Sequence, residues 1–298
     1  MPTVVILGAG ASHPYGFPLG RELRDLICGM GDTELQNVWS DSNDLHRAHD
    51  FIRVLSTSGY VSVDAFLEAR EEFVNVGKLA IALQISRLED EGKLFPPVAA
   101  GAHCWYEVLA NALFSTDLVR RNGGGCFENL KIITFNYDRS LERYLMTVAN
   151  NRQGSGLNMH RQEIEDLIIH VHGSLGSLRY RPYIPNATAD AIGQSSQSIQ
   201  IAHEADDASR GFKIAKEALH NAKRIWFFGF GYYEPNMRRL GFVPGQPPRY
   251  AAKIWTQSIG MNSEEVQALE KKYGYTPCTL GMNQGASINE ALRTLLSI

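Results

Sequence analysis

The chain has 298 residues, 44% hydrophobic and 20% charged, and this length and composition suit a globular protein with a buried core. Its formal net charge of -3 argues against direct nucleic-acid binding, because phosphates call for a clustered lysine and arginine surface. No apolar run approaches the roughly 20 residues that cross a bilayer, and no secretory signal is present, so we expect a cytoplasmic protein without membrane contact.

Short apolar runs rich in β-branched or aromatic residues predict strands that are buried on both faces. In chain order these runs are Thr3–Leu7, Lys131–Phe135, Leu167–Val171, Arg224–Phe228 and Ala252–Thr256, with a weaker sixth at Thr276–Leu280. Helical patterns alternate with the later strands, as in Phe212–Ala222. We therefore predict an α/β fold with a doubly wound, mostly parallel, six-stranded Rossmann-like sheet.

The segment between the first two predicted strands breaks this alternation. From about Arg21 to Leu118 it contains several helical patterns and no convincing strand. We predict that residues 21–120 form a helical insertion subdomain and that residues 1–20 and 121–298 form the Rossmann-like core. Further along, Pro182–Gln200 is rich in Pro, Ala, Ser and Gln, which predicts a mobile loop.

A glycine-rich turn, Gly8–Ser12, follows the first predicted strand. The glycine at position 8 allows a tight turn, and the one at position 10 lets backbone N–H groups approach a pyrophosphate. The turn indicates a dinucleotide phosphate site, although an ordinary strand-to-helix turn has the same pattern. His13 replaces the third glycine of the dehydrogenase fingerprint, and no second strand with a terminal acidic residue follows, so hydride transfer is disfavoured.

Polar residues follow the second and third predicted strands, namely Asn136, Asp138 and His172. Ligands bind at the carboxyl ends of strands in open α/β sheets, so these side chains should converge on the glycine turn. Asn136 can orient a water or a ribose hydroxyl, Asp138 can accept from an amide or hydroxyl, and His172 can act as a general base. Each has a structural alternative, because Asn136 and Asp138 can cap a helix and either His170 or His172 can be a core residue.

A second glycine turn, Gly229–Gly231, follows the fourth predicted strand. Its glycines allow the backbone to pass close to an adenine or a ribose, although a turn without a ligand has the same composition. Asn236 lies just beyond and can either contact the nucleotide or begin a helix.

The order of motifs along the chain resembles that of the sirtuin-like superfamily. The motifs are Gly8–Ser12, Gly16–Pro18, Thr134–Asp138, His172-Gly173 and Gly229–Asn236. The similarity is closest to the bacterial antiphage-defence branch, which includes Thoeris-type effectors and proteins paired with Argonaute-type proteins or HerA-type ATPases, and Ser62–Glu68 resembles its helical region. The resemblance implies an NAD+ hydrolase (NADase) that forms a homo-oligomer and works with such a partner.

By the same resemblance, Asn136 and His172 are the catalytic pair, and Asp138 binds the nicotinamide amide. The residues implied to contact the rest of the dinucleotide are Gly8, Ala9, Gly10 and Ser12 at the phosphates, and Gly229 and Gly231 at the adenosine. NAD is implied as the substrate.

Two features depart from the sirtuins that deacylate proteins. The four cysteines form no CxxC pair, whereas those enzymes carry a zinc module built on such pairs, so we expect no metal ion. Leu19–Arg21 also stands where their glycine loop leads to Asp-Phe-Arg. Both features disfavour a deacylase or an ADP-ribosyltransferase. The main alternative to a hydrolase is a module that senses NAD or ADP-ribose and regulates a partner.

Overall fold

The computed structural model describes residues 1–95, 105–114, 129–152, 161–185, 188–201, 209–256 and 263–273. The strands in these ranges are β1 (Thr3–Leu7), β2 (Leu130–Thr134), β3 (Ile168–His170), β4 (Arg224–Phe228) and β5 (Lys253–Thr256). They form one parallel five-stranded sheet in the order β3-β2-β1-β4-β5, which confirms the predicted α/β, Rossmann-like class. The predicted sixth strand, Thr276–Leu280, lies outside the described residues, so the count of six strands stays a prediction.

The strands are buried on both faces because consecutive apolar residues point alternately to opposite sides of the sheet. In β1, Val5 and Leu7 join a hydrophobic core on one face, whereas Val4 and Ile6 join a second core on the other. Both cores therefore meet at β1, the central strand of the sheet.

Within the described ranges, the helices before β2 are α1 (Ala9–Ser12), α2 (Gly20–Cys28), α3 (Asp32–Val38), α4 (Ser42–Thr57), α5 (Val63–Ala69), α6 (Val74–Arg87), α7 (Glu91–Leu94) and α8 (Trp105–Leu113), with 3-10 helices at His13–Tyr15 and Glu71–Phe73. Those described after β2 are α9 (Ser140–Asn151), α10 (Arg161–Leu167), α11 (Ala189–Ser198), α12 (Arg210–Asn221), α13 (Glu234–Arg239) and α14 (Ser263–Tyr273). In the described part of the chain between β1 and β2 there is no strand. The division into an insertion subdomain at residues 21–120 stays a prediction.

Helices cover both faces of the sheet. On one face, the core includes Phe66, Ile81 and Trp105 from α5, α6 and α8. On the other face, Phe212 and Leu219 of α12 pack against the strands. None of the described helices combines the length and the apolar composition that a membrane span requires.

The prediction of a mobile loop at Pro182–Gln200 is wrong, because this stretch contains helix α11 (Ala189–Ser198). The side chain of Thr188 caps the helix, and Ile192 is buried where α11 packs against α6. The polar composition is misleading because Ser195 is also buried, and its hydroxyl donates to a backbone carbonyl at 2.8 Å. Small polar residues whose hydrogen bonds are satisfied locally can lie in such an interface.

A buried ion pair joins the helical region before β2 to the start of α9. Glu89 is 0% exposed and Arg139 is 1% exposed. The Arg139 guanidinium donates to both carboxylate oxygens of Glu89, at 2.8 and 2.6 Å, and also to the carbonyl oxygens of Gly176 and Arg181. These hydrogen bonds compensate for the loss of water around both charges. The pair fixes the position of residues 136–138, which immediately precede Arg139.

We expect Glu89→Ala to lower the free energy of unfolding by about 3–5 kcal/mol, because it leaves the Arg139 charge buried without its partner. Urea denaturation measures this change. Asp50→Ala is the control, since it removes one member of the solvent-exposed Arg53–Asp50 pair and should cost less than about 1 kcal/mol. Equal losses in the two variants would contradict the role assigned to the buried pair.

Candidate functional site

A pocket lies at the carboxyl ends of the strands. The chain places β2 and β3 on one side of β1 and then returns to place β4 and β5 on the other, so a crevice opens beside β1. The pocket has a volume of about 210 Å³. Its lining residues are Gly8, Ala9, Gly20, Ser62, Asp64, Glu68, Phe135, Asn136, His172, Phe230, Gly231, Tyr233 and Asn236.

Some of the site residues predicted from the sequence line the pocket, and others do not. Those that line it are Gly8, Ala9, Asn136, His172 and Gly231. Those that do not line it are Gly10, Ser12, Asp138 and Gly229. The two predicted catalytic residues therefore share one pocket with the first glycine turn, as the sequence predicts.

The two glycine turns pack directly against each other. The N–H of Gly10 donates to the carbonyl of Gly229 at 3.0 Å, and the N–H of Gly8 donates to that of Phe228 at 3.0 Å. A Cβ atom on Gly229 would lie 2.1 Å from the backbone nitrogen of Ala11. The close approach of the two backbones thus requires glycine whether or not a nucleotide binds. The predicted contacts of these turns with phosphate and adenosine stay predictions.

Asn136 is fixed against the first glycine turn. Its Nδ2 donates to the carbonyl of Gly8 at 3.0 Å and to the hydroxyl of Ser12 at 2.9 Å. Because a carbonyl oxygen only accepts, these contacts determine the orientation of the side-chain amide. Its Oδ1 makes no hydrogen bond within the described ranges, and it can accept one from a ligand or a water in the pocket.

His170 supports the backbone of Asn136. Its Nδ1 donates to the Asn136 carbonyl at 2.8 Å, and its Nε2 donates to the Glu142 carboxylate. Both partners accept, so each ring nitrogen carries a proton. Burial lowers the pKa of His170, whereas the Glu142 carboxylate and the Asn136 carbonyl raise it. Together the two partners outweigh burial, so the pKa lies above its usual value. His170 is thus the hydrogen-bonded core residue of the two histidines.

His172 is 6% exposed, and its ring packs edge-on against Phe135 and Phe212. Burial lowers its pKa to about 4, so the ring is neutral at pH 7. Its Nε2 donates to Oδ1 of Asn236 at 3.4 Å, and its buried Nδ1 has no partner in the described part of the chain. The contact with Asn236 is longer than the usual 2.7–3.2 Å, so a ligand hydroxyl can compete for it.

Asp138 lies outside the pocket lining. Its carboxylate accepts from the backbone N–H of Ser140 at 3.1 Å and from the Ser140 hydroxyl, at the start of α9. Burial raises its pKa, and the hydrogen bonds from Ser140 oppose the rise. These contacts favour the helix-capping alternative, and binding of a nicotinamide amide by Asp138 stays a prediction.

Two carboxylates in the pocket were not predicted from the sequence. Helix α5 places Asp64 and Glu68 four positions apart, and both line the pocket. The Tyr137 hydroxyl donates to Asp64. Glu68 accepts from the Tyr233 hydroxyl at 3.1 Å and pairs with Arg239 at 3.4 Å. The available signal was the spacing of two acidic residues within one short helical segment.

A larger, open cleft of about 920 Å³ is lined by residues of α2, α3 and α6, including Asp25, Glu34 and Arg87. None of the described residues that follow β2, β3 or β4 lines this cleft. The smaller pocket at the strand ends is therefore the candidate site, because it combines polar groups with the fold's usual ligand position.

No protein-family model matches the chain, and the search of curated proteins also finds no match. The sirtuin-like resemblance accordingly rests on the sequence motifs and stays a prediction. Within the described ranges, no three His, Cys, Asp or Glu side chains are grouped as metal ligands. The expectation of a site without metal is likewise still a prediction.

Alanine substitutions of the two glycines after β4 should differ in their effect on stability. Gly229→Ala should lower the free energy of unfolding by more than about 2 kcal/mol, because its Cβ would collide with the first glycine turn and its φ is 56°. Gly231→Ala should be nearly neutral, since a Cβ there meets nothing within 4 Å. Thermal unfolding measures both, and comparable losses would contradict the close approach of the turns.

The buried, neutral His172 should make stability depend on pH. Between its unperturbed pKa of 6.5 and the lowered pKa of about 4, the unfolded chain binds a proton that the folded chain does not. The free energy of unfolding should therefore fall as pH falls through this window. His172→Phe removes this contribution, so urea denaturation should show a smaller fall with decreasing pH. The same pH dependence in both proteins would contradict the lowered pKa.

Proposed function

We propose that this protein is a sirtuin-like NAD+ hydrolase, which cleaves the bond between nicotinamide and ribose and releases nicotinamide and ADP-ribose. The proposal rests on one observation: Asn136 and His172 line one pocket with Gly8, and the Asn136 amide donates to the Gly8 carbonyl. That pocket lies at the strand ends beside β1, where open parallel sheets bind nucleotides.

The reaction needs positioning more than covalent catalysis. The bond between ribose C1′ and the pyridinium nitrogen breaks, and its electron pair neutralises the ring, so nicotinamide leaves as a neutral molecule. C1′ becomes oxocarbenium-like and is attacked by water, which forms the new C–O bond and releases one proton to the solvent. Such a step is accelerated by a site that orients the ribose and the water and that shields C1′ from other nucleophiles.

The described side chains can supply these functions. In the proposal, Oδ1 of Asn136 positions the attacking water, and the Nε2–H of the neutral His172 ring donates a hydrogen bond to a ribose hydroxyl. The pocket volume of about 210 Å³ is below the range of roughly 300–1,000 Å³ typical of small-molecule sites. It therefore suits the nicotinamide-ribose half, with the rest of the dinucleotide lying along the glycine turns.

The alternative is a non-catalytic module that senses NAD or ADP-ribose. One observation favours it: a histidine with a pKa of about 4 is a weak base at neutral pH. Such a module would bind the dinucleotide at the same strand ends and regulate a partner. A deacylase is less favoured because the chain has no CxxC pair for the zinc module of such enzymes.

Unrestrained hydrolysis would deplete cellular NAD, so the proposal includes a control on activity. We infer that homo-oligomerisation, or a HerA-type ATPase or Argonaute-type partner, provides this control in antiphage defence. The support for this part is the resemblance of the motifs, including Ser62–Glu68.

Purified protein mixed with NAD+, alone or together with such a partner, should release nicotinamide, which chromatography measures directly. Asn136→Ala and His172→Ala should each reduce the rate by about 100-fold or more, because each removes a group that acts on the ribose or the water. Asn43→Ala and His46→Ala make the same chemical changes at exposed positions of α4 and should keep the rate.

The outcomes of this assay separate the candidate functions. Release that persists in both pocket variants would place the chemistry elsewhere in the molecule. Binding of NAD+ without release, even with a HerA-type ATPase added, would favour the sensor. Release only in the presence of an acylated peptide would favour the deacylase.

A further inference from the structure

The charges in the pocket are unbalanced. Among the described residues, its lining contains the carboxylates of Asp64 and Glu68 and no lysine or arginine. Arg239, just outside the lining, pairs with Glu68 at 3.4 Å and compensates its charge. Asp64 accepts from the Tyr137 hydroxyl but forms no ion pair with any cation in the described ranges. When Asp64 is ionised, its charge therefore has no counter-charge from the described residues.

An uncompensated carboxylate in a pocket favours one kind of ligand. Burial raises the pKa of Asp64, and the hydrogen bond from Tyr137 opposes the rise. A cation that enters the pocket lowers this pKa again and stabilises the ionised carboxylate, whereas a phosphate there would be repelled by it. The neutral ring of His172 supplies no competing positive charge.

We propose that Asp64 is the counter-ion that makes the pocket selective for a cationic N-ribosylpyridinium, the group present in NAD+. This inference rests on the proposed function, because it assigns the nicotinamide-ribose half to this pocket. The dihydropyridine ring of NADH has nearly the same size and the same carboxamide but no charge. Asp64 should therefore distinguish the two redox forms by charge.

The same charge pairing suits the course of the proposed reaction. When the bond from C1′ to the ring nitrogen breaks, the positive charge moves from the ring to C1′ and the ribose ring oxygen, so it stays within the pocket. A carboxylate beside it stabilises the charge before and after the bond breaks. The products have no positive charge at this position, so the interaction does not retain them.

Isothermal titration calorimetry with two dinucleotides tests the proposal. Carba-NAD+ keeps the pyridinium charge but cannot be hydrolysed, and NADH is the neutral comparison. The wild-type protein should bind carba-NAD+ on the order of tenfold more tightly than NADH. Asp64→Asn keeps the size of the side chain and an acceptor for Tyr137, and it should bring the ratio close to one. Asp44→Asn makes the same change at an exposed position of α4 and should leave the ratio unchanged.

Two results would overturn the assignment of Asp64. One is equal affinity of the wild-type protein for carba-NAD+ and NADH, a measurement that does not depend on the folding of any variant. The other is a preference for the cation that persists in Asp64→Asn. Charge-selective binding without nicotinamide release would contradict the hydrolase and leave the assignment of Asp64 intact. Failure of the wild-type protein to bind either dinucleotide would overturn both the hydrolase and the assignment of Asp64.

Discussion

The first glycine turn is held by contacts from two neighbouring strands, and the candidate site depends on these contacts. From β2, the Asn136 amide donates to the Gly8 carbonyl at 3.0 Å. From β4, the Gly229 carbonyl accepts from the N–H of Gly10 at 3.0 Å, in a contact too close for any side chain at either residue. Both contacts join the carboxyl ends of parallel strands, so the sheet itself determines where the pocket opens.

Three ionisable side chains near this turn, His170, His172 and Asp64, differ in pKa and in charge partners because their surroundings differ. Glu142 keeps His170 protonated, and that ring positions the Asn136 backbone. Burial among aromatic rings keeps His172 neutral, and the charge of Asp64 has no counter-ion in the described residues. The arrangement separates a positioning histidine from a pocket histidine and leaves Asp64 as a carboxyl group that a cationic ligand can pair with.

The sequence predicted what depends on local patterns. Continuous apolar runs predicted the strands. The position of Asn136 and His172 just after two neighbouring strands predicted that they lie in one pocket. It did not predict Asp64, because the approach of α5 to the strand ends depends on packing between distant segments. It also could not show that Gly10 and Gly229 permit a close contact between residues far apart in the chain, and their predicted contact with a nucleotide stays a prediction. The composition of Pro182–Gln200 was misleading because buried serines satisfy their hydrogen bonds locally.

A crystal structure of the protein with carba-NAD+ bound is the most direct test of the central claim. We expect the nicotinamide-ribose half in the pocket beside β1. Its C1′ should lie within roughly 4 Å of the Asn136 side chain or of a water that this side chain binds. His172 should contact a ribose hydroxyl in that complex. A dinucleotide bound in the cleft beside α2, α3 and α6, with the pocket at the strand ends empty, would contradict the account.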